Sequence, residues 1–146
     1  MSSRRRTREV VLQILYGMDL SGLRHVQAIS DYEREFSLHG FETDDFMMDL
    51  IRGVQEHRDE IDTLITDASE NWRVDRMSLV DRNIIRMGIY EMLYSVDIPL
   101  KVAINEAVEL AKRFGSGESA SFINGILDRI SRNSDVVESG DSGEAK

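Results

Sequence analysis

The segment Pro99–Ile130 constrains the fold most strongly, because its apolar residues follow the spacing of two helices joined at a glycine. Pro99 marks the start of the first helix, and cations in its last turn oppose the negative end of the helix dipole. We expect Gly115 to end this helix in a left-handed conformation, with the next helix beginning at Ser116 or Gly117. The buried stripe of the first helix comprises Ala103, Ala107, Leu110, Ala111 and Phe114.

The second helix of this segment places Phe122 at the edge of its apolar stripe. Glu118, Ser121, Gly125 and Arg129 fall beside Phe122, on a flank where a glycine leaves the backbone open. Two interpretations fit this spacing. The flank holds a ligand against an exposed aromatic ring, or Phe122 belongs to the core and Gly125 is a helix-packing contact.

Length and composition indicate one domain that buries its own core. The chain has 146 residues, 41% of them apolar, with no cysteine and three histidines, so cysteine-ligated zinc and thiol chemistry are excluded. We predict no cofactor and no metal site. No apolar run approaches the roughly 20 residues of a membrane helix, and the N-terminus lacks the apolar segment of a signal peptide. A soluble cytoplasmic protein is the expectation.

The rest of the chain also has helical periodicity. We predict a helix from about Arg4 to Leu20, a weaker one around Val26–Phe36, and one over Phe46–Val54 that Thr43 caps. A short helix covers Ile61–Ala68. From Ser78 to about Ser95 the sequence is apolar on most sides, which places this helix in the middle of the fold, with its charged residues at the rim or in ion pairs.

These elements predict an all-α protein of about seven helices in two small packed bundles. We assign residues 1–133 to one helical domain. Residues 134–146 have few apolar groups and a negative charge, and we expect them to form an acidic disordered tail.

Charge is segregated along the chain. The net charge is −9, yet Arg4, Arg5, Arg6 and Arg8 crowd the N-terminus. On the helical wheel Tyr16 lies in line with Arg5 and Arg8, and arginines beside an aromatic ring are the combination that binds single-stranded nucleic acid. The alternative is a solvated basic helix end with Tyr16 covered by a neighbouring helix.

The sequence offers little catalytic chemistry. It contains no nucleophile elbow, phosphate-binding loop or metal-ligand spacing, and Asn105 with Glu106 and Asn124 with Asp128 are better explained by capping or packing. We therefore predict that the protein is not an enzyme.

Three blocks of sequence, covering the chain from about Arg4 to Ile130, resemble the NusB family of bacterial transcription antitermination factors. The resemblance implies an all-helical fold of two small bundles and no catalysis. It also implies a heterodimer with NusE, a small-subunit ribosomal protein, that binds the boxA element of nascent RNA in the RNA polymerase antitermination complex on ribosomal RNA operons. The blocks are RRRTREVVLQILYGMDL, VDRNIIRMGIYEML and PLKVAINEAVELAKRFGSGESASFINGILD.

The resemblance also implies roles for individual residues. Many relatives carry a basic residue at the position of Ser121, and its absence here is expected to weaken phosphate contact. The residues implied in NusE contact are Trp72, Arg76, Asp81 and Tyr90. The residues implied in RNA contact are Arg4, Arg5, Arg6, Arg8, Tyr16, Gly115, Ser116, Glu118, Ser119 and Phe122.

Two other functions stay open from the sequence. One is an RNA-binding accessory domain related to those of ribosomal RNA methyltransferases, which the lack of a cofactor-binding domain disfavours. The other is a helical protein that only binds partner proteins. Self-association is also open, and a homodimer that hides the arginine face is one storage form the sequence allows.

Overall fold

The computed structural model describes the backbone of residues 4–22, 44–70 and 72–145 and a few positions between 27 and 34, with side chains through residue 133. In these parts the chain is helical apart from short connections, which confirms the all-α prediction. The predicted helix around 26–36 lies almost wholly outside the described residues. The helices are α1 (Arg4–Ser21), α2 (Asp45–Glu56), α3 (Arg58–Ala68), α4 (Leu79–Tyr94), α5 (Leu100–Phe114) and α6 (Ser119–Ala145), with a 3₁₀ turn at Val74–Arg76.

Two helix starts show how local chemistry sets the boundaries. At α2 the cap is Asp44, not the expected Thr43, because the Asp44 carboxylate accepts a hydrogen bond from the Met47 amide at 2.8 Å. At α4 the Ser78 hydroxyl accepts from the Asp81 amide at 3.0 Å, as the sequence predicts. An aspartate and a serine thus satisfy amides that would otherwise be unpaired.

Helix α4 lies at the centre of the fold, as its apolar sequence predicts. It packs against each of the other five helices, and Ile84, Ile85 and Ile89 on it are fully buried. Among the other helices, α2 contacts both α1 and α3, while α5 contacts α6, and α3 also touches α6. A single continuous apolar core therefore joins the helices.

Three charged residues of α4 form ion pairs, as predicted: Arg82, Arg86 and Glu91. Asp19 of α1 receives hydrogen bonds from Arg82 at 2.7 Å, Asn83 at 2.9 Å and Arg86 at 3.0 Å. Arg86 also binds Asp62 of α3 through two bonds of 2.8 and 2.9 Å. Burial raises the pKa of Asp19, but the hydrogen bonds and charges of these partners outweigh burial and lower it well below its usual range.

The junction of α5 and α6 has a different geometry from the one expected. Pro99 caps α5 as predicted, but Gly115 has φ −88° and ψ −175°, an extended conformation and not a left-handed one. Glycine is needed here for space, since a Cβ would lie 2.5 Å from Ser119 Cβ and 2.8 Å from the Ala111 carbonyl oxygen. Helix α6 begins at Ser119, later than predicted.

At its other end, α6 continues to Ala145, across the segment 134–146 that the sequence analysis expects to be disordered. Side chains beyond residue 133 lie outside the described residues, so the proposed limit of the domain stays a prediction. Earlier in α6, Arg129 donates a hydrogen bond to the Ala68 carbonyl at the end of α3, which ties α6 to α3. Among the described residues, every helix is too short or too polar to cross a membrane.

Candidate nucleic-acid interface

The first turn of α1 presents three half-exposed arginines. The side chains of Arg4, Arg5 and Arg6 are 54%, 57% and 52% exposed. Arg4 lies over the ring of Phe46, with its guanidinium carbon 4.5 Å from the ring centroid, and its Nη2 is 3.4 Å from Asp97. The arginines are thus positioned by neighbours and still reach solvent.

Glu106 of α5 holds Arg5 in place. Its two carboxylate oxygens accept hydrogen bonds from Arg5 Nε at 3.2 Å and Nη2 at 2.8 Å. The hydrogen bond from Arg5 lowers the pKa of Glu106, against burial, which raises it. Glu106 therefore stays ionised and orients the arginine by the bidentate geometry that a phosphate would also use.

Arg8 departs from the sequence expectation of an arginine row open to RNA. It is only 4% exposed, and it donates three hydrogen bonds of 2.6 to 3.0 Å to Glu91 of α4. Burial raises the pKa of Glu91, while the hydrogen bond and charge of Arg8 oppose that rise. Packing of α1 on α4 covers Arg8, so this residue is a buried structural partner and not an exposed phosphate contact.

Two further cations join the basic surface, and the sequence analysis did not assign them to it. Lys112 and Arg113 at the end of α5 line a groove of about 320 Å³ together with Arg5 and the edge of the largely buried Arg8. The groove also contains carboxylates, those of Glu9, Glu106 and Glu109. Arg113 lies 3.4 Å from Glu9 of α1 and is 65% exposed. In the sequence, the position of these two cations predicts the end of a helix and nothing more. They join the site because α5 packs beside α1.

The elbow between α5 and α6, which comprises residues 115–118, is held by internal hydrogen bonds. The Ser119 hydroxyl accepts a bond from the Ser116 amide at 2.9 Å and lies 3.2 Å from the Ser116 hydroxyl. The side chain of Ser119 is buried. Its hydroxyl therefore holds the elbow through Ser116 and is not exposed for the expected contact with RNA. Ser116 and Glu118 are exposed, and Gly115 is partly so.

Phe122 is 37% exposed and a Cβ on Gly125 would meet no atom within 4 Å, so Phe122 is not part of the core and Gly125 is not a packing contact; ligand binding at this flank stays a prediction. Phe122 lines a groove of about 250 Å³ with Ser116, Glu118 and the segment that precedes α4. Trp72 and Arg76 lie in that segment and Asp81 lies in the first turn of α4; all three are expected to contact a protein partner.

Tyr90 does not belong to any exposed partner surface. It is buried between α2 and α4, and its hydroxyl lies 3.1 Å from the Asp49 carboxylate. Burial, with Asp49 second, raises the pKa of Tyr90 to about 12. The expected partner contact is therefore wrong for this residue, because the close approach of Gly53 seals its ring inside the fold.

Tyr16 connects the two ends of the site. It is 37% exposed and lines a groove of about 330 Å³ with Leu12, Val80 and Phe114. Because Phe114 directly precedes Gly115, the exposed aromatic of α1 and the elbow lie side by side. Lys112 and Arg113, which share a groove with Arg5, lie just before the elbow, so the basic start of the chain and the elbow are neighbours.

Comparisons with known proteins identify the family of this fold. The model of the NusB family matches residues 5–132. The chain is 47% identical over 133 residues to the transcription antitermination protein NusB of Myxococcus xanthus, covering 89% of this chain and 95% of that protein. It is 43% identical over 136 residues to NusB of Bacillus subtilis, covering 93% of this chain and 98% of that protein.

Solved structures show the same fold. NusB of T. maritima superposes with a TM-score of 0.77 at 37% identity, over 90% of this chain and 92% of that one. A structure of the antitermination factors NusB and NusE in complex with dsRNA matches with a TM-score of 0.78 at 23% identity, over 89% of this chain and 96% of that one. With a family match over nearly the whole helical domain, the chain belongs to the NusB family of transcription antitermination proteins.

Proposed function

We propose that this protein binds single-stranded boxA RNA of nascent ribosomal RNA transcripts, as a heterodimer with the ribosomal protein NusE. The observation that supports the proposal is that Arg5 of α1 shares a groove with Lys112 and Arg113, which directly precede the elbow leading to Phe122. A protein of the same fold has been solved in complex with NusE and dsRNA, which supports NusE and RNA as the classes of partner. The complex would act within the RNA polymerase antitermination complex.

Phosphate binding is assigned to the cations that reach solvent. Arg4, Arg5 and Arg6 on α1 and Lys112 and Arg113 on α5 line one side of the surface. In the described residues these cations pair with carboxylates, which orient their side chains. A bound phosphate would replace the carboxylate or share the cation with it. Because bound phosphates release counterions, affinity should fall steeply with salt.

Base contact is assigned to the exposed rings. Tyr16 and Phe122 lie beyond the cations, and each half-exposed ring offers a face for stacking, worth about 1 to 3 kcal/mol per base. Glu118 repels phosphate, so its role would be to accept a hydrogen bond from a base amino group. That repulsion would also limit affinity for RNA alone and make binding depend on NusE.

The partner contact is assigned to the N-terminal part of α4. Here Val80 lies in the groove with Leu12 and Phe114, whose lining is mostly apolar. A mostly apolar groove with the exposed ring of Tyr16 at its edge favours a protein over a polyanion. Tyr16 lies at the edge of this groove, where RNA and NusE would meet.

Titration of fluorescently labelled boxA RNA with the protein, with and without NusE, tests the proposal. We expect saturable binding that NusE strengthens and that a scrambled RNA of equal length does not match. A protein that binds NusE without any effect on RNA affinity would be a partner-binding helical protein only. Equal affinity for scrambled RNA would reject boxA as the ligand.

A further inference from the structure

Three carboxylates lie among the cations of the groove between α1 and α5. Each of them is within ion-pairing distance of one cation that reaches solvent. The pairs are Arg5 with Glu106 at 2.8 Å, Lys112 with Glu109 at 3.2 Å, and Arg113 with Glu9 at 3.4 Å. The fourth cation of the groove, Arg8, is paired with the buried Glu91. The positive and negative charges therefore balance, although the groove lies on the basic side of the molecule.

The carboxylates are less exposed than the cations with which they pair. The side chains of Arg5 and Arg113 are 57% and 65% exposed, whereas those of Glu106 and Glu9 are 13% and 9% exposed. A phosphate that approaches from solvent therefore meets the guanidinium groups first, with the carboxylates behind them. Glu106 is ionised, because the hydrogen bond from Arg5 lowers its pKa. Its charge repels an incoming phosphate at neutral pH.

This pairing affects RNA of arbitrary sequence more than a specific ligand. Phosphate contacts and the counterions that they release supply essentially all of sequence-independent binding, but only a share of specific binding. A cation that a carboxylate already neutralises gains less from a phosphate and releases fewer counterions. Stacking on Tyr16 and Phe122 does not depend on these cations. The paired carboxylates therefore weaken the binding of a bare backbone most.

We propose that Glu9, Glu106 and Glu109 are specificity-determining residues, which neutralise the phosphate-binding cations and so discriminate against RNA that offers only its backbone. The inference rests on the proposed function, because it concerns the same surface. A strand that also makes base contacts and meets NusE overcomes the repulsion, whereas a strand of arbitrary sequence does not. Selectivity at this surface thus has a repulsive element beside the attractive contacts.

Glu109→Gln tests the inference with little disturbance of the fold. Glu109 is partly exposed and pairs with Lys112 on the same helix, so the variant keeps the shape of the side chain and loses its charge. With labelled scrambled RNA and no NusE, the variant should bind roughly 2- to 5-fold more tightly than the wild type, the contribution of one exposed ion pair. The slope of log affinity against log salt should steepen by up to about 0.7, because one more cation becomes available to a phosphate. The affinity for boxA RNA in the presence of NusE should rise less.

Asp128→Asn is the matched control for the change in net charge. Asp128 pairs with Arg132 at 2.6 Å within α6, its side chain is 46% exposed, and it lies outside the groove. Its replacement should leave the affinity for scrambled RNA and the salt slope unchanged. Glu106→Gln, which keeps a hydrogen-bond acceptor for Arg5, is a second test and should also tighten the binding of scrambled RNA. Urea unfolding of each variant verifies that the fold is intact.

The outcomes distinguish the inference from the proposed function. Unchanged or weaker binding of scrambled RNA by Glu109→Gln would overturn the inference. An equal gain by Asp128→Asn would overturn it as well, since the effect would then come from net charge alone. An equal gain for scrambled RNA and for boxA RNA with NusE would remove the selectivity. Each of these results leaves the proposed function standing if the wild-type complex binds boxA RNA, and absence of that binding would reject both.

Discussion

Replacement of Arg8 and Arg5, which lie one turn apart on α1, should have opposite consequences for stability and RNA binding. Arg8 and Glu91 have side chains only 5% and 3% exposed, so Arg8→Met leaves a buried carboxylate without its cation. Breaking a buried pair in this way costs about 3 to 5 kcal/mol. For a domain of this size that loss lowers Tm by about 6 to 20 °C.

The pH dependence of the loss follows from Glu91. Burial already raises the pKa of Glu91 while Arg8 opposes the rise, so removal of Arg8 raises it further. In the variant, Glu91 therefore binds a proton more readily in the folded state than in the unfolded state. The loss of stability caused by Arg8→Met becomes smaller as pH falls. Urea unfolding followed by circular dichroism should show a large deficit at pH 7 and a smaller one at pH 5.

Arg5→Met is the matched variant, because Arg5 is exposed and its pair with Glu106 lies at the surface. Its urea midpoint should stay near that of the wild type. In RNA titrations it should reduce the slope of log affinity against log salt by about 0.7, the effect of one phosphate contact on a single strand. Arg8→Met, measured well below its Tm, should keep the wild-type slope.

Two results would refute this reasoning. A loss of less than about 1 kcal/mol for Arg8→Met at pH 7 would mean that the buried pair contributes little. A folded Arg8→Met protein with the reduced salt slope of Arg5→Met would place Arg8 on the RNA. The double variant Arg8→Met with Glu91→Leu should recover most of the lost stability, since it removes both charges together.

Three further predictions concern the fold. Because the pKa of Asp19 is lowered in the folded state, its contribution to stability is full above about pH 4 and is lost as pH falls below that value. Asp19→Asn should therefore have a lower urea midpoint than the wild type at pH 7. Its midpoint should also decrease less than that of the wild type between pH 5 and pH 3. Gly53→Ala should lower the free energy of unfolding by about 1 to 3 kcal/mol, since the added methyl would overlap the ring of Tyr90. Gly125→Ala meets no atom within 4 Å, so it should raise the free energy of unfolding by about 0.5 to 1 kcal/mol, measured by thermal unfolding. Ser78→Ala should lose about 0.5 to 2 kcal/mol through the missing cap of α4, and an unchanged urea midpoint would contradict that role.

The sequence predicts those features that depend on local periodicity. Helices α1, α4 and α5 begin and end close to their predicted boundaries, because their apolar spacing and capping residues act within a few turns. The central place of α4 also follows from its composition alone, since a helix that is apolar on most sides must be surrounded. The edge position of Phe122 follows from the same helical geometry.

The spacing of residues within one helix does not show which side chains on other helices they contact. The predictions for Arg8 and Gly115 differ from the structure for this reason. A helical wheel aligns Arg8 with Arg5, but only the packing of α1 on α4 brings Glu91 to Arg8 and removes it from solvent. Likewise, Gly115 was assigned a left-handed turn from its position after a helix, whereas the approach of Ser119 explains the need for glycine.

An all-helical chain with a basic start and an aromatic at the edge of its last helix is predictable without coordinates, because helical periodicity and charge depend on neighbouring residues. Which of these groups share a surface depends on how the helices pack. This packing buries Arg8 and Ser119, adds Lys112 and Arg113, and places Trp72 beside Phe122. Burial and shared grooves arise from contacts between residues far apart in the chain. A local sequence pattern is compatible with many such contacts, so it cannot predict which of them form.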